Sequence, residues 1–252
     1  MTAEYSQDYL LDKKIHILQP LNGYRASSDA VLLSSMLSPQ MQNKTILDVG
    51  SGTGAVSLCL AWRYKQQNTE IFGVEIQSDL AELSALSAQE NNFSGLKYLN
   101  GDIFNKDIQK LLKPCSFDAV VTNPPYSEND MPSPNNSKAT AHNLLCGNLE
   151  KWLNICLKMA KPFGYLYMIN RAEALPHICS ALDGKAGGIV VLPIYSKIGQ
   201  PAKRIIIKAQ KDSKAPCHIL PPLVIHNENG EYSDVSHKIL REGCCISEIM
   251  QI

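Results

Sequence analysis

The sequence has no run of 18 apolar residues, so no membrane-spanning helix is expected. Its start, "MTAEYSQDYLLDKK", has no basic segment leading into an apolar one, so no secretory signal is expected and the chain is expected to stay in the cytoplasm. The eight cysteines include no CxxC pair, and the six histidines form no HxxxH or His/Cys cluster at zinc spacing. No metal is expected. Half of the cysteines lie in apolar stretches such as "SLCLAW" and "LNICLKMA", where a reduced core thiol belongs. There is also no internal repeat and no low-complexity linker. The chain is therefore expected to be a single domain over 1–252, with an N-terminal segment 1–40, a core 41–214 and a tail 215–252.

Charge is sparse, at 19% of residues, and sums to zero. It is unevenly spread: residues 1–150 carry 11 Lys/Arg against 16 Asp/Glu, and residues 151–252 carry 13 against 8. Much of the basic excess lies in "SKIGQPAKRIIIKAQKDSK" (196–214), with six basic residues and one acidic. Such a stretch is either a solvated hairpin face or a phosphate-contacting patch, with Lys203 and Arg204 as its candidates for substrate binding.

Short apolar runs alternate with helical stretches. "TILDVG" (45–50), "EIFGVE" (70–75), "LKYLNGD" (96–102), "FDAVVTN" (117–123) and "GYLYMIN" (164–170) have strand length and are near-continuously apolar, as parallel strands covered on both faces are. Helices are expected at 55–66, 79–91, 106–112, 148–160 and 172–182. Two further strands, 188–195 and 204–210, read as an antiparallel pair at one edge. The pattern predicts an α/β fold, a Rossmann-like doubly wound sheet of seven strands, mostly parallel. Residues 26–38 read as a helix capped by Ser27 or Ser28. The tail reads as a two-strand turn around Asn229-Gly230 followed by a helix at 236–243.

In "LDVGSGTGAVSLCL" a strand ends at Asp48, and Gly50, Gly52 and Gly54 precede a helix. Glycines there let the backbone approach a ligand, and the NH groups of the turn offer hydrogen bonds. The spacing is GxGxG rather than GxGxxG, and no P-loop lysine follows, which argues against nicotinamide and nucleoside triphosphate sites. The next strand ends in Glu75, about twenty residues beyond the glycines, where a carboxylate can accept from both hydroxyls of a ribose. A third strand ends at Asp102 and a fourth at Asn123, all at the sheet edge where open α/β folds bind ligands. Behind Asn123 comes "NPPY". Two prolines remove two NH donors and fix two φ angles, so this segment is neither helix nor central strand.

These motifs resemble the class I S-adenosylmethionine (SAM) methyltransferases. "DVGSGTG" is similar to their first motif and "GDIF" to the segment that holds the adenine ring. "NPPY" is similar to the catalytic motif of the subgroup that methylates planar nitrogens, N6 of adenine or the amide of Gln. The resemblance implies SAM as cofactor, held by Asp48, Gly50, Ser51, Gly52, Thr53, Gly54, Glu75, Ile76, Asp102, Ile103 and Asn123. It implies catalysis by Asn123, Pro124, Pro125 and Tyr126. If the Asn123 side-chain oxygen and the Pro124 carbonyl each accept a hydrogen of the target amino group, its lone pair is drawn out of conjugation, while Tyr126 offers a ring for the base to stack on.

Over most of the chain, "ILQPLNGYRASSDAVLLSS", Ala141-His142 and "PPLVIHNENGEYSDVSHKIL" resemble the bacterial tRNA (adenine-N6) methyltransferases that act beside the anticodon of a valine tRNA. That likeness implies tRNA or another RNA as partner. It places Arg25 and Asp29 at the methionine end of the cofactor, although a capped helix start accounts for both equally well. The insert 127–139 departs from expectation, with one Lys and no Arg, and is expected to order only over bound RNA. Competing readings are a protein-glutamine methyltransferase, although a separate N-terminal helical domain is missing; a DNA adenine methyltransferase, although 38 residues after 214 leave little room for target recognition; and a non-catalytic SAM- or RNA-binding module.

Overall fold

A computed structural model describes residues 4–23, 25–124 and 138–250, with side chains from 149 onward in the last segment. Pro125, Tyr126, most of the insert and the side chains of Ala141 and His142 lie outside the described residues. The first elements were not expected as strands: β1 (Tyr5–Leu10) and β2 (Ile15–Pro20) form an antiparallel hairpin. β1 has no buried position and its Tyr5 and Tyr9 are about half exposed, so alternation there is faint. β2 buries Ile15 and Ile17 and is tied to a later helix by two backbone NH groups, Leu18 to Ser87 Oγ and His16 to Asn91 Oδ1, each at 2.9 Å. Then comes α1 (Ser28–Ser35), whose cap Ser27 accepts from the Asp29 NH at 3.3 Å.

The core alternates as expected: β3 (Thr45–Val49), α2 (Ala55–Arg63), β4 (Glu70–Glu75), α3 (Ser78–Glu90), β5 (Leu96–Asn100), α4 (Lys106–Leu112), β6 (Phe117–Thr122), α5 (Lys138–Met159) and β7 (Ala160–Arg171). The strands lie parallel in the order β5-β4-β3-β6-β7. Near-continuous apolar character follows from burial on both faces. Ile46 and Val121 enter one core with α1 and α2, while their neighbours Leu47 and Val120 enter the other with α5. Successive strand residues point to opposite faces, so both sides of the sheet must be apolar.

After a 3-10 turn at Ala172–Ala174 come α6 (Leu175–Leu182), β8 (Ala186–Tyr195) and β9 (Arg204–Lys211). β9 lies between β7 and β8 and is antiparallel to both, so the reversed strand is the inner member of the pair and β8 runs with the parallel set. Two short strands, β10 (His218–Ile219) and β11 (Leu223–Val224), add in parallel to β8. The sheet thus has seven full strands and two short ones among the described residues. The expected two-strand turn at Asn229-Gly230 is reduced to one bridge, His226 with Tyr232. The tail closes with α7 (Asp234–His237), which widens into a π-type turn at Lys238–Glu242, and α8 (Ile246–Met250). Arg63 of α2 donates to the Gly243 carbonyl, fixing the tail to the core. Among the described residues no helix is long and apolar enough to cross a membrane, and no group of three or more His, Cys, Asp or Glu could hold a metal ion.

Candidate active site

The parallel strands all end at one edge of the sheet. The glycine turn after β3 sits there with Gly50, Gly52 and Gly54 at φ +70°, +56° and +83°. Its NH groups point less to solvent than the sequence implies. Gly50 and Ser51 both donate to the Val74 carbonyl, at 2.9 and 3.1 Å, and Gly52 donates to Glu75 Oε2 at 2.9 Å. The end of β4 therefore holds the turn. Glu75 is 6% exposed and its other oxygen accepts from the Gln77 NH at 2.9 Å. Each carboxylate oxygen keeps acceptor capacity beyond that one bond.

Beneath the turn, Asp48 is fully buried and accepts from the Ser57 NH at 3.2 Å. Burial pushes its carboxyl up to about 7, against the hydrogen bonds from Ser57, with the nearby Glu75 charge adding to the rise. Tyr98 of β5 packs where side chains would be at Gly54 and Gly73, so both must be glycine. Its hydroxyl lies 2.9 Å from Ser57 Oγ. None of this is visible from motif spacing.

Asp102 accepts from the Phe104 NH at 2.8 Å through one oxygen. Ile76 is 63% exposed at the end of β4, and Phe104 is 45% exposed just after β5. Ile103, by contrast, is buried in the α4–α5 core. The exposed apolar group there is its neighbour Phe104, which the sequence motif did not single out. Asn123 is half-buried directly after β6 and engaged in an interaction, and Pro124 is buried.

A second residue missed by sequence reasoning is Trp152 of α5. Its Nε1–H donates to Thr122 Oγ1 at 2.8 Å, and that hydroxyl donates to the Val49 carbonyl at 2.9 Å. The indole ring lies so close to Gly50 that a Cβ there would stand 3.0 Å from it, and it meets Phe104 edge-on at 6.0 Å. A lone Trp in "LEKWLNIC" signals a core helix, and only the tertiary structure brings it to the site.

The N-terminal and basic candidates are distributed differently from the sequence expectation. Arg25 pairs with Asp8 and donates to Ser6 Oγ at 3.1 Å, so it is anchored on the β1–β2 hairpin. Asp29 is buried and pairs with Arg204 Nε at 3.0 Å. Lys203 is exposed beside it. The register that pairs Arg171 with Arg204 puts the start of β9 at the carboxyl edge and Lys211 at the opposite one. The basic stretch is therefore split between two edges rather than forming one patch. Lys208 lies over the Tyr165 ring, 4.8 Å from its centre, and burial lowers its ammonium below the ordinary lysine range.

Residues 40–210 match the family model of the methyltransferase domain. The chain belongs to that family. This methyltransferase-domain chain is 27% identical to the tRNA1(Val) (adenine(37)-N6)-methyltransferase of Histophilus somni, over 88% of this chain and 90% of that one. It is 28% identical to the protein of the same name from Pedobacter heparinus, over 91% and 95%. Among solved structures, a predicted O-methyltransferase from Agrobacterium tumefaciens superposes with a TM-score of 0.70 at 23% identity, covering 84% of this chain and 94% of that one, which shows the shared fold.

The residues at the edge fit an adenosine-containing ligand. Ser51 Oγ and Thr53 Oγ1 are buried in the turn without a hydrogen-bond partner, a costly state in a water-excluded position. Glu75 keeps acceptor capacity for a ribose, and Ile76 and Phe104 leave apolar surface uncovered on the β4–β5 side.

Proposed function

We propose that the chain transfers a methyl group from SAM to N6 of an adenine in a tRNA anticodon loop. One observation carries the reading: Asn123 and Pro124 leave β6 beside β3, whose own end is the glycine turn, and Thr122 ties the two strand ends together. The names of the two relatives support RNA as the substrate and N6 as the acceptor.

Gly50 to Gly54, Glu75, Ile76, Phe104 and Asp102 would hold the cofactor, with Asp29 near its methionine end. When bound, SAM supplies an electrophilic methyl group. The protein's task is to shape the nucleophile, because an exocyclic amino nitrogen is conjugated into the purine and has little lone-pair density to give. The Asn123 side-chain oxygen and the Pro124 carbonyl accept its two hydrogens, and the nitrogen moves toward tetrahedral geometry. Pro125 stiffens the segment, and Tyr126 stacks on the base. Anticodon-loop bases are already unpaired, so drawing one into a pocket costs less than flipping it from a duplex.

Such an enzyme works as one domain, in the cytoplasm with its tRNA. The test is incubation with SAM and unmodified tRNA, followed by nucleoside analysis of the digest. N6-methyladenosine is expected. Its absence, or methyl label on protein glutamine instead, would overturn the reading.

A further inference from the structure

A second concave site lies on the same sheet edge, away from the glycine turn. β11 runs parallel to β8, so the chain leaving it at His226 and the loop leaving β8 at Ser196 emerge side by side. The Ile225 NH donates to the Tyr195 carbonyl at 2.9 Å, and the His226 NH to the Ser196 carbonyl at 3.0 Å. Between loop and tail is an open groove of about 440 Å³, lined by Lys197, Ile198, Gln200, His226, Asn227 and Glu228. No part of the cofactor site contributes to it.

Its chemistry is mixed in a particular way. The His226 imidazole lies flat on Tyr232, with ring centres 5.3 Å apart and planes 14° apart. Its Nδ1 is buried with no hydrogen-bond partner, so stacking is what holds the ring at that side. Arg241 sits 5.6 Å over the Tyr232 ring and braces the pair. Ile198 is 73% exposed at the lip, an apolar side chain with nothing to cover it among the described residues. The Lys197 ammonium reaches the Glu228 carbonyl oxygen at 3.3 Å. A flat aromatic wall, an apolar lip, two amides and a lysine match a nucleotide: a π-face to stack, a base edge to read, and a phosphate to neutralise.

Position gives the partner. β8 is separated from β6 by β9 and β7, three strand spacings or about 14 Å. The loop between groove and catalytic segment, residues 196–204, carries three basic residues and no acidic one, and ends at Arg204 opposite Arg171. We propose that the groove binds an unpaired nucleotide of the RNA flanking the methylated adenine. The base lies against His226 and Ile198, Gln200 and Asn227 face its edge, and Lys197 and Lys203 meet the backbone phosphates. The proposal rests on the RNA reading above and adds to it the role of the tail: to set which neighbour accompanies the target adenine.

The test reads binding without methyl transfer. A fluorescently labelled anticodon stem-loop RNA is titrated with protein saturated in S-adenosylhomocysteine, across a range of salt. His226→Ala should weaken RNA binding about 5- to 100-fold, the scale of one lost base–aromatic stack. Lys197→Ala should lower the slope of log Kd against log salt by about 0.7, one phosphate contact to a single strand. S-adenosylhomocysteine affinity should stay unchanged in both. In wild type, 4-thiouridine placed in the loop should crosslink to peptides containing residues 197–200 or 226–228. RNA affinity and salt slope unchanged in both variants, or crosslinks confined to other peptides, would overturn the groove. If His226→Ala unfolds, Ile198→Ala and Lys197→Ala decide. An RNA bound in the groove but never methylated at N6 would count against the proposed reaction alone.

Discussion

The two halves of the carboxyl edge are built differently. On the β3–β4–β5 side, the turn is held through backbone NH donors: Gly50 and Ser51 donate to the Val74 carbonyl, and Gly52 and Gln77 donate to the two carboxylate oxygens of Glu75. On the β6–β7–β9–β8 side, contacts are between side chains far apart in the chain, such as Arg204 with Asp29, 175 residues away, and Trp152 with Thr122. The first half is thus held by backbone NH groups at strand ends. The second half depends on particular side chains reaching across elements. Substitutions in the first half should therefore change cofactor affinity, and those in the second should change turnover and RNA recognition.

The sharpest test of that division is Asn123→Ala. In the proposed reaction it removes one of the two acceptors for the target amino group, so turnover should fall roughly 100- to 1000-fold while S-adenosylhomocysteine affinity stays within about twofold. Nucleoside analysis for the first and calorimetry for the second would check it. A parallel loss of cofactor affinity would break the comparison.

Glu75→Ala is the converse. It strips the proposed ribose acceptor and leaves the Gly52 and Gln77 NH groups without their partner, a loss of roughly 1.5 to 3 kcal/mol, or about 10- to 100-fold in calorimetric affinity for S-adenosylhomocysteine. At saturating SAM the remaining turnover should be much closer to wild type than that of Asn123→Ala. Equal affinity for variant and parent would remove Glu75 from the site.

The same division explains what the sequence could say. Glu75, Asp102 and Asn123 were legible because parallel strands are apolar on both faces, so a polar residue closing such a run marks the carboxyl edge. The glycines were legible because glycine takes a positive φ without a Cβ clash, and three of them in five positions mark a tight turn. Trp152 was not, because its place depends on where a long helix crosses two strand ends. The split of the basic stretch was also hidden, since the sequence does not say which member of the edge pair is reversed: β9 is, so it starts with Arg204 at the carboxyl edge and ends with Lys211 at the opposite one. The β1–β2 hairpin escaped notice because half-exposed tyrosines blur its alternation. Ile103 and Phe104 are adjacent, and only packing against α4 decides which of them is buried.

A smaller effect should come from Asp48, under the turn. In the folded chain its carboxyl titrates at about 7, raised mainly by burial, whereas unfolded it would titrate near 3.8. Between those values the folded state holds a proton that the unfolded state has released, so stability falls as pH rises through the window and levels off above it. Asp48→Asn cannot titrate. Relative to wild type, it should lose about 2 kcal/mol less between pH 5 and pH 7, measured by urea unfolding at each pH. Parallel pH profiles for the two proteins would show that Asp48 is ionised throughout.

Trp152→Phe should have the smallest effect and separate the halves most finely, because Trp152 touches both. The substitution keeps an aromatic ring at this place but removes the Nε1–H bond to Thr122 and the outer ring atoms Cζ2 and Cη2 that approach Gly50. Thr122 then keeps its bond to Val49 but loses the donor that fixes its side chain, and Asn123 is the next residue along. One hydrogen bond of this kind is worth about 1 kcal/mol, so turnover should fall about 3- to 10-fold with cofactor affinity nearly unchanged. A role confined to packing would lower the melting temperature and leave turnover alone. Fluorescence supplies an independent reading, since the chain has two tryptophans, Trp62 and Trp152. With Trp62→Phe as background, Trp152 emission should shift when S-adenosylhomocysteine enters the turn beside Gly50. An unchanged spectrum would mean that the indole is not at the junction of cofactor and catalytic strand ends, and the two halves of the edge would then be coupled by the backbone alone.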